Sequence, residues 1–176
     1  MARVMKYLAY VFASLSIFSS VALGNDALFT TKSATPLVPT ESENPEIAKF
    51  AGQATISGDY LVSWEFRDDE PYQLLFTLIP DAESRAILPH IANGKEVEEL
   101  NLDDPKKIVQ LLFDANTAND ILSRKILSAR GKATVVIEDY FTAVDCDQRS
   151  YVARVVNVVK HGKVVLADKK VQSRKC

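Results

Sequence analysis

The chain has 176 residues, 47% hydrophobic and 25% charged, with 21 basic against 23 acidic side chains and a formal net charge of −2. So mild a balance excludes the basic footprint of a nucleic-acid binder. Two histidines and two cysteines leave few groups for nucleophilic or metal chemistry.

The opening MARVMKYLAYVFASLSIFSSVALG has the form of a secretory signal peptide: Arg3 and Lys6, then an apolar run from Tyr7 to Phe18, then small residues. The run falls short of the roughly 20 apolar residues needed to span a bilayer, so an uncleaved anchor is the lesser alternative. Cleavage is expected after Gly24, with Ser20-Val21-Ala22 as a nearby alternative site, and neither is followed by a lipoprotein cysteine. Residues 1–24 would be removed, leaving a periplasmic or secreted protein of formal charge −4 with no stable membrane insertion.

Residues 25–45 are rich in Thr, Ser and Pro without apolar period and read as a flexible lead-in. Residues 46–176 are one domain by length, large enough to bury a core. From Ala54 to Phe66 the even positions are apolar and the odd ones mostly polar, the pattern of a strand buried on one side. RDDEP (Arg67 to Pro71) is a polar turn, followed by YQLLFTLIP, in which both faces can be covered. Asn93-Gly94 marks another turn.

LDDPKKIVQLLFD is ambiguous. Asp104-Pro105 would start a helix well, yet Ile108 to Phe113 is short and its neighbours are strands, so a strand is favoured. ANTANDILSRKILSARG predicts a short helix, with Thr117 and Asp120 in capping-box spacing and Gly131 as a stop. From Lys132 to Val144 one face carries Ala133, Val135, Ile137, Phe141 and Ala143, interrupted by Asp139. Tyr151, Ala153, Val155 and Val159 continue the alternation, and His161-Gly162 turns the chain into VVLA to end a β-meander.

Export places Cys146 and Cys176 in an oxidising compartment, where they should pair. Closing that loop would stabilise the fold by about 3 to 4 kcal/mol in the chain-entropy model and pin the basic tail. Neither histidine is placed to make Cys146 a nucleophile, and Asp145-Cys146-Asp147 lacks a recognised zinc spacing.

Strands followed by a helix before a last strand pair predict a mainly β protein, a small OB-like β-barrel with a C-terminal β-meander. The stretch ARGKATVVIEDYFTAVDCDQRSYVARVVNV, Ala129 to Val158, resembles the end of bacterial periplasmic OB-fold domains of unknown function. DCDQRSYVARVV with the following GKVV and C-terminal cysteine is similar to the closing segment of the surface-adhesin E family, whose membrane anchoring the missing lipobox cysteine puts in doubt. Neither resemblance supplies catalytic residues.

Charge is unevenly spread. Asp59 to Asp104 carries twelve carboxylates against three basic residues, and Pro105 to Cys176 fourteen basic residues against seven acidic. If these halves fold against each other the molecule is bipolar and steers a charged partner; if their loops intermix, the charges average out. No nucleotide loop, nucleophile elbow or His-Glu-x-x-His is present, and no cofactor is implied. Asp68-Asp69, Glu98-Glu99 and Asp103-Asp104 are the carboxylate pairs an envelope-polymer enzyme would use, although neighbours on a charged loop are ordinarily just solvated. His90 and His161 fall at turns, and Trp64 with Phe66 is either core or a ligand platform. The acidic turn Asp68, Asp69 and Glu70, with Arg149 and Arg154, forms the candidate binding surface. The functional expectation is a non-catalytic exported protein that binds another protein, best an immunity or inhibitor protein against an envelope-acting effector. A surface-adhesin-like protein binding host or matrix components is the first alternative.

Overall fold

The computed structural model describes residues 29–30, 35–44, 46–68, 70–91, 96–145, 148–167 and 171–172. In chain order the elements are β1 (Phe29–Thr30), β2 (Val38–Thr40), β3 (Ile47–Ala51), β4 (Ala54–Arg67), β5 (Glu70–Pro80), α1 (Ala82–Ile87), β6 (His90–Ile91) and β7 (Leu100–Asp103). There follow α2 (Pro105–Leu112), α3 (Ala115–Leu122), β8 (Ser128–Asp145), β9 (Gln148–His161), β10 (Val165–Ala167) and β11 (Val171–Gln172). Residues 1–24, the Asn93-Gly94 turn, Asp69, Cys146 and Cys176 lie outside the described residues.

Strands β4, β5, β7, β9 and β8 follow one another around a closed ring, completed by β8 pairing back to β4. The β7–β9 pair is parallel and the other ring pairs are antiparallel. This is a mainly β protein built on a small OB-like barrel, with helices α2 and α3 inserted before the last strand pair. The even positions of β4 fill the barrel as the alternation predicts: Ala54, Ile56, Tyr60, Val62 and Trp64 are buried, facing Phe76, Leu78, Leu100, Val135 and Val155. Each such large side chain contributes about 1.5 to 3 kcal/mol by leaving water. In β5 only one face is covered: Leu74, Phe76 and Leu78 are buried whereas Ile79 is 41% exposed.

The stretch from Ile108 to Phe113, for which a strand was favoured, is helical through Leu112. Its burial falls on Ile108, Val109 and Leu112 and leaves Gln110 and Leu111 exposed, a helical and not a two-residue period. Asp104 caps the helix by accepting from Lys107 N, with Pro105 in the first turn. The tertiary reason is that β7 ends at Asp103, and α2 then packs against β5 and β9 where a longer β7 would have lain. Helix α3 begins earlier than the Thr117–Asp120 spacing implies. Asp114 is its cap, accepting from Asn116 N and Thr117 N and from the Thr117 hydroxyl. It stops at Leu122, so Gly131 ends no helix. Gly131 lies inside β8 opposite Tyr60, where a Cβ would stand 2.8 Å from the Tyr60 hydroxyl oxygen.

Strand β8 changes phase in its middle. Ala133, Val135 and Ile137 point inward, but two residues, Asp139 and Tyr140, stand against the single residue Ala153 of β9, and beyond that bulge Tyr140 and Thr142 are buried while Phe141 and Ala143 are only partly covered. Asp139 takes a left-handed φ of 50° to make the bulge. Tyr140 is held inside by donating its hydroxyl to Pro89 O and by packing on Phe50; its burial, with a smaller contribution from Tyr151, pushes the phenol's pKa up.

Two further expectations change. VVLA does not extend a meander from β9, because β10 pairs with β8 at Ser128–Arg130, continuing the edge that β9 leaves at Ala133. Part of the segment read as lead-in belongs to the fold: Leu37 is buried and β2 pairs with β3. Gly52, at φ 108°, admits the Pro36 carbonyl to a place where a Cβ would meet it at 2.4 Å. Among the described residues no helix is long and apolar enough to cross a membrane.

Candidate functional site

The β8 bulge positions the most concentrated set of charges. Arg154 on β9 stands between Glu138 of β8 and Asp103 of β7 in the strand register. Because the bulge swings Asp139 outward, its Oδ2 accepts from both Arg154 Nε at 2.8 Å and Nη2 at 2.6 Å, and Glu138 Oε1 lies 2.8 Å from Nη2. Gln53 Nε2 in turn donates to the other oxygen of Glu138 at 2.9 Å. The Asp139 hydrogen bond first, then the charges of Asp139, Glu138 and Asp103, hold the guanidinium's pKa above its ordinary range.

Asp103, Asp139 and Arg154 line an open cleft of about 380 Å³ together with Phe141, Val152, Thr40 and Lys49. Two carboxylates, Asp103 and Asp139, and two cations, Arg154 and Lys49, line the cleft, and Glu138 engages Arg154 from outside that lining. Arg154, engaged by two carboxylates, is therefore a fixed strut and not a free anion receptor. A guanidinium held by its neighbours loses little freedom on contact, which suits recognition of another surface.

The other candidate residues fall elsewhere. Asp68 is at the β4–β5 turn with φ 51°, Glu70 begins β5, and Arg149 is exposed near the start of β9 opposite Val144. Since β4 and β8 run antiparallel, the β4–β5 turn and the β8–β9 connection leave that ladder from opposite ends. The structure thus joins Arg154 to Asp103, Glu138 and Asp139, and does not join it to the Asp68–Glu70 turn. Asp103 and Asp104 have structural uses, Asp103 Oδ1 accepting from Asp104 N and Asp104 capping α2.

Trp64 is core, 7% exposed, its Nε1 donating to Ile121 O at 2.8 Å and its ring lying 5.1 Å beneath the Arg124 guanidinium. Phe66 is partly buried against the core. His90 lies on β6 and His161 ends β9, exposed. Among the described residues no group of three or more His, Cys, Asp or Glu is arranged to hold a metal ion. The roles of Glu138 and Asp139 were missed in the sequence, where Asp139 showed only as an interruption of the apolar face. No family model, curated protein or solved structure matches the chain.

Proposed function

We propose that the protein is a non-catalytic exported binding protein whose carboxylate-rimmed cleft receives a basic segment of another protein. An envelope-acting effector that it inhibits is the partner best suited to export and to this chemistry. The supporting observation is that Arg154 is already held by Asp139 and Glu138, which leaves Asp103 on the cleft lining without an ion pair among the described residues, beside apolar Phe141 and Val152. The ring order adds to this: the strands of the acidic half, β4, β5 and β7, are neighbours, and so are β9 and β8 of the basic half. The cleft lies at the β7–β9 seam between them, a placement that steers a bipolar partner. In the same reading Cys146 and Cys176 pair to hold the C-terminal tail.

The test is capture of partners by the purified chain from periplasmic and secreted fractions at low salt, then titration of the isolated partner. One stoichiometric partner should bind, more weakly as salt rises, and Asp103→Asn should cost about tenfold in affinity. Failure to capture any protein at low salt would refute the proposal.

A further inference from the structure

A second charged surface lies at the other end of β8. Arg130 and Lys132 point outward from that strand, Lys160 stands opposite Thr134 from β9, and Lys163 sits in the connection to β10. All four are exposed. Lys132 meets only Asp59, at 3.7 Å with both side chains mostly in water, and Arg130, Lys160 and Lys163 have no ion pair among the described residues. Arg154 and Lys125, by contrast, are bound to carboxylates at 2.6 to 2.9 Å. Beside the unpaired cations Val159 and Val165 are 57% and 47% exposed, with Val165 directly opposite Arg130. An open groove of about 330 Å³ is lined by Lys132 and Lys160, the Ser57–Thr134 hydroxyl pair and two carboxylates, Asp59 and Asp81.

We propose that this face docks the protein on a bilayer surface containing anionic lipid, the cations among the headgroups and the aliphatic side chains at the edge of the acyl region. Three features select this occupant. The charges are mostly lysines, compact point charges without the arginine fork, and lysine is depleted at protein interfaces but serves a diffuse anionic surface well. Exposed valines next to the cations have no use for a soluble polyanion, whereas an interface rewards their burial. Arg130, Lys132, Lys160 and Lys163 outnumber Asp59 and Asp81 here, so a chain of net negative charge can still present an attractive side. The inference is independent of the Arg154 cleft, which docking would leave free to bind.

Co-sedimentation of the full chain with vesicles tests it, comparing one part phosphatidylglycerol in two parts phosphatidylcholine with phosphatidylcholine alone. Every variant is studied in the same background, so the apolar N-terminal run contributes equally. Each cation near such a surface adds about a fivefold gain in partitioning, so Lys132→Gln/Lys160→Gln/Lys163→Gln should lose roughly 100-fold on anionic vesicles and little on neutral ones. Val159→Ser/Val165→Ser should weaken vesicle binding while leaving retention on dextran sulfate unchanged. Asp103→Asn should not alter vesicle binding. Equal binding to both vesicle types, or an unaffected triple variant, would overturn the proposal. Vesicle binding indifferent to the valines would overturn it in favour of a soluble polyanion or an acidic protein. The three lysines are exposed, and an unchanged melting midpoint together with the single Lys160→Gln variant separates lost docking from lost folding.

Discussion

Replacing Trp64 by phenylalanine tests whether α3 is held to the barrel through one side chain. The indole donates from Nε1 to Ile121 O at 2.8 Å in the last turn of α3, and Arg124 lies over its ring at 5.1 Å. Phenylalanine removes the donor and part of the buried ring but keeps an aromatic face. The carbonyl of Ile121 is not orphaned, because it also accepts from Arg124 N at 3.0 Å. The hydrogen bond is therefore worth its net value, about 1 kcal/mol, and not the larger cost of a stranded acceptor. Weakening the cation–π contact contributes a few tenths of a kcal/mol, about half of what an exposed pair is worth. The space left by the second ring costs about 1 to 2 kcal/mol. Trp64→Phe should thus destabilise the fold by about 2 to 3 kcal/mol. Urea unfolding followed by far-ultraviolet circular dichroism is the assay, since Trp64 is the only tryptophan and its fluorescence disappears with the substitution. A loss below about 1 kcal/mol at unchanged m-value would refute the anchoring of α3 through Trp64. Weakened partner binding at unchanged stability would make Trp64 the ligand platform that its burial argues against.

Gly131→Ala should cost about 1 to 3 kcal/mol by driving a Cβ to 2.8 Å from the Tyr60 hydroxyl oxygen. That hydroxyl is buried without a partner among the described residues, so Tyr60→Phe should be near neutral alone and recover part of the Gly131→Ala loss, which a double-mutant cycle in urea would measure. Asp81 caps α1, and its hydrogen bonds with Ser84 hold its carboxyl below the usual range. Its contribution is thus full above the unfolded-state value near 4 and is lost as pH falls through the lower folded value, and Asp81→Asn should flatten stability against pH in that acid window alone. Thiol titration of the denatured, unreduced protein should find no free thiol, and Cys146→Ser should cost about 3 to 4 kcal/mol without abolishing partner binding; two reactive thiols would dismiss the pairing.

The single-faced strand β4 was legible because its period is local and uninterrupted, and so was the pairing of β8 with β9. What could not be read depends on distant chain. Whether Ile108 to Leu112 is strand or helix turns on where β7 stops, and its neighbours in sequence argued for the wrong element. The inward and outward faces of β8 exchange at Asp139, so an alternation carried through Val144 assigns Phe141 and Ala143 to the core in place of Tyr140 and Thr142. Arg154 was a candidate as a charge on a late strand. Its carboxylates were not, because one comes from the bulge and another from a parallel partner, Asp103, across the whole helical insertion.

The parallel β7–β9 pair also sets an order in time. Strand β4 has β5 beside it as soon as both exist, but the ring stays open until Gln148–His161 has been made and laid against β7 and β8. The closing contacts join segments on either side of two helices, the kind of non-local pairing that is slow to form. A chain that cannot close its barrel until its last strands arrive remains loose through most of its synthesis, with the apolar face of β4 covered only on the β5 side until then.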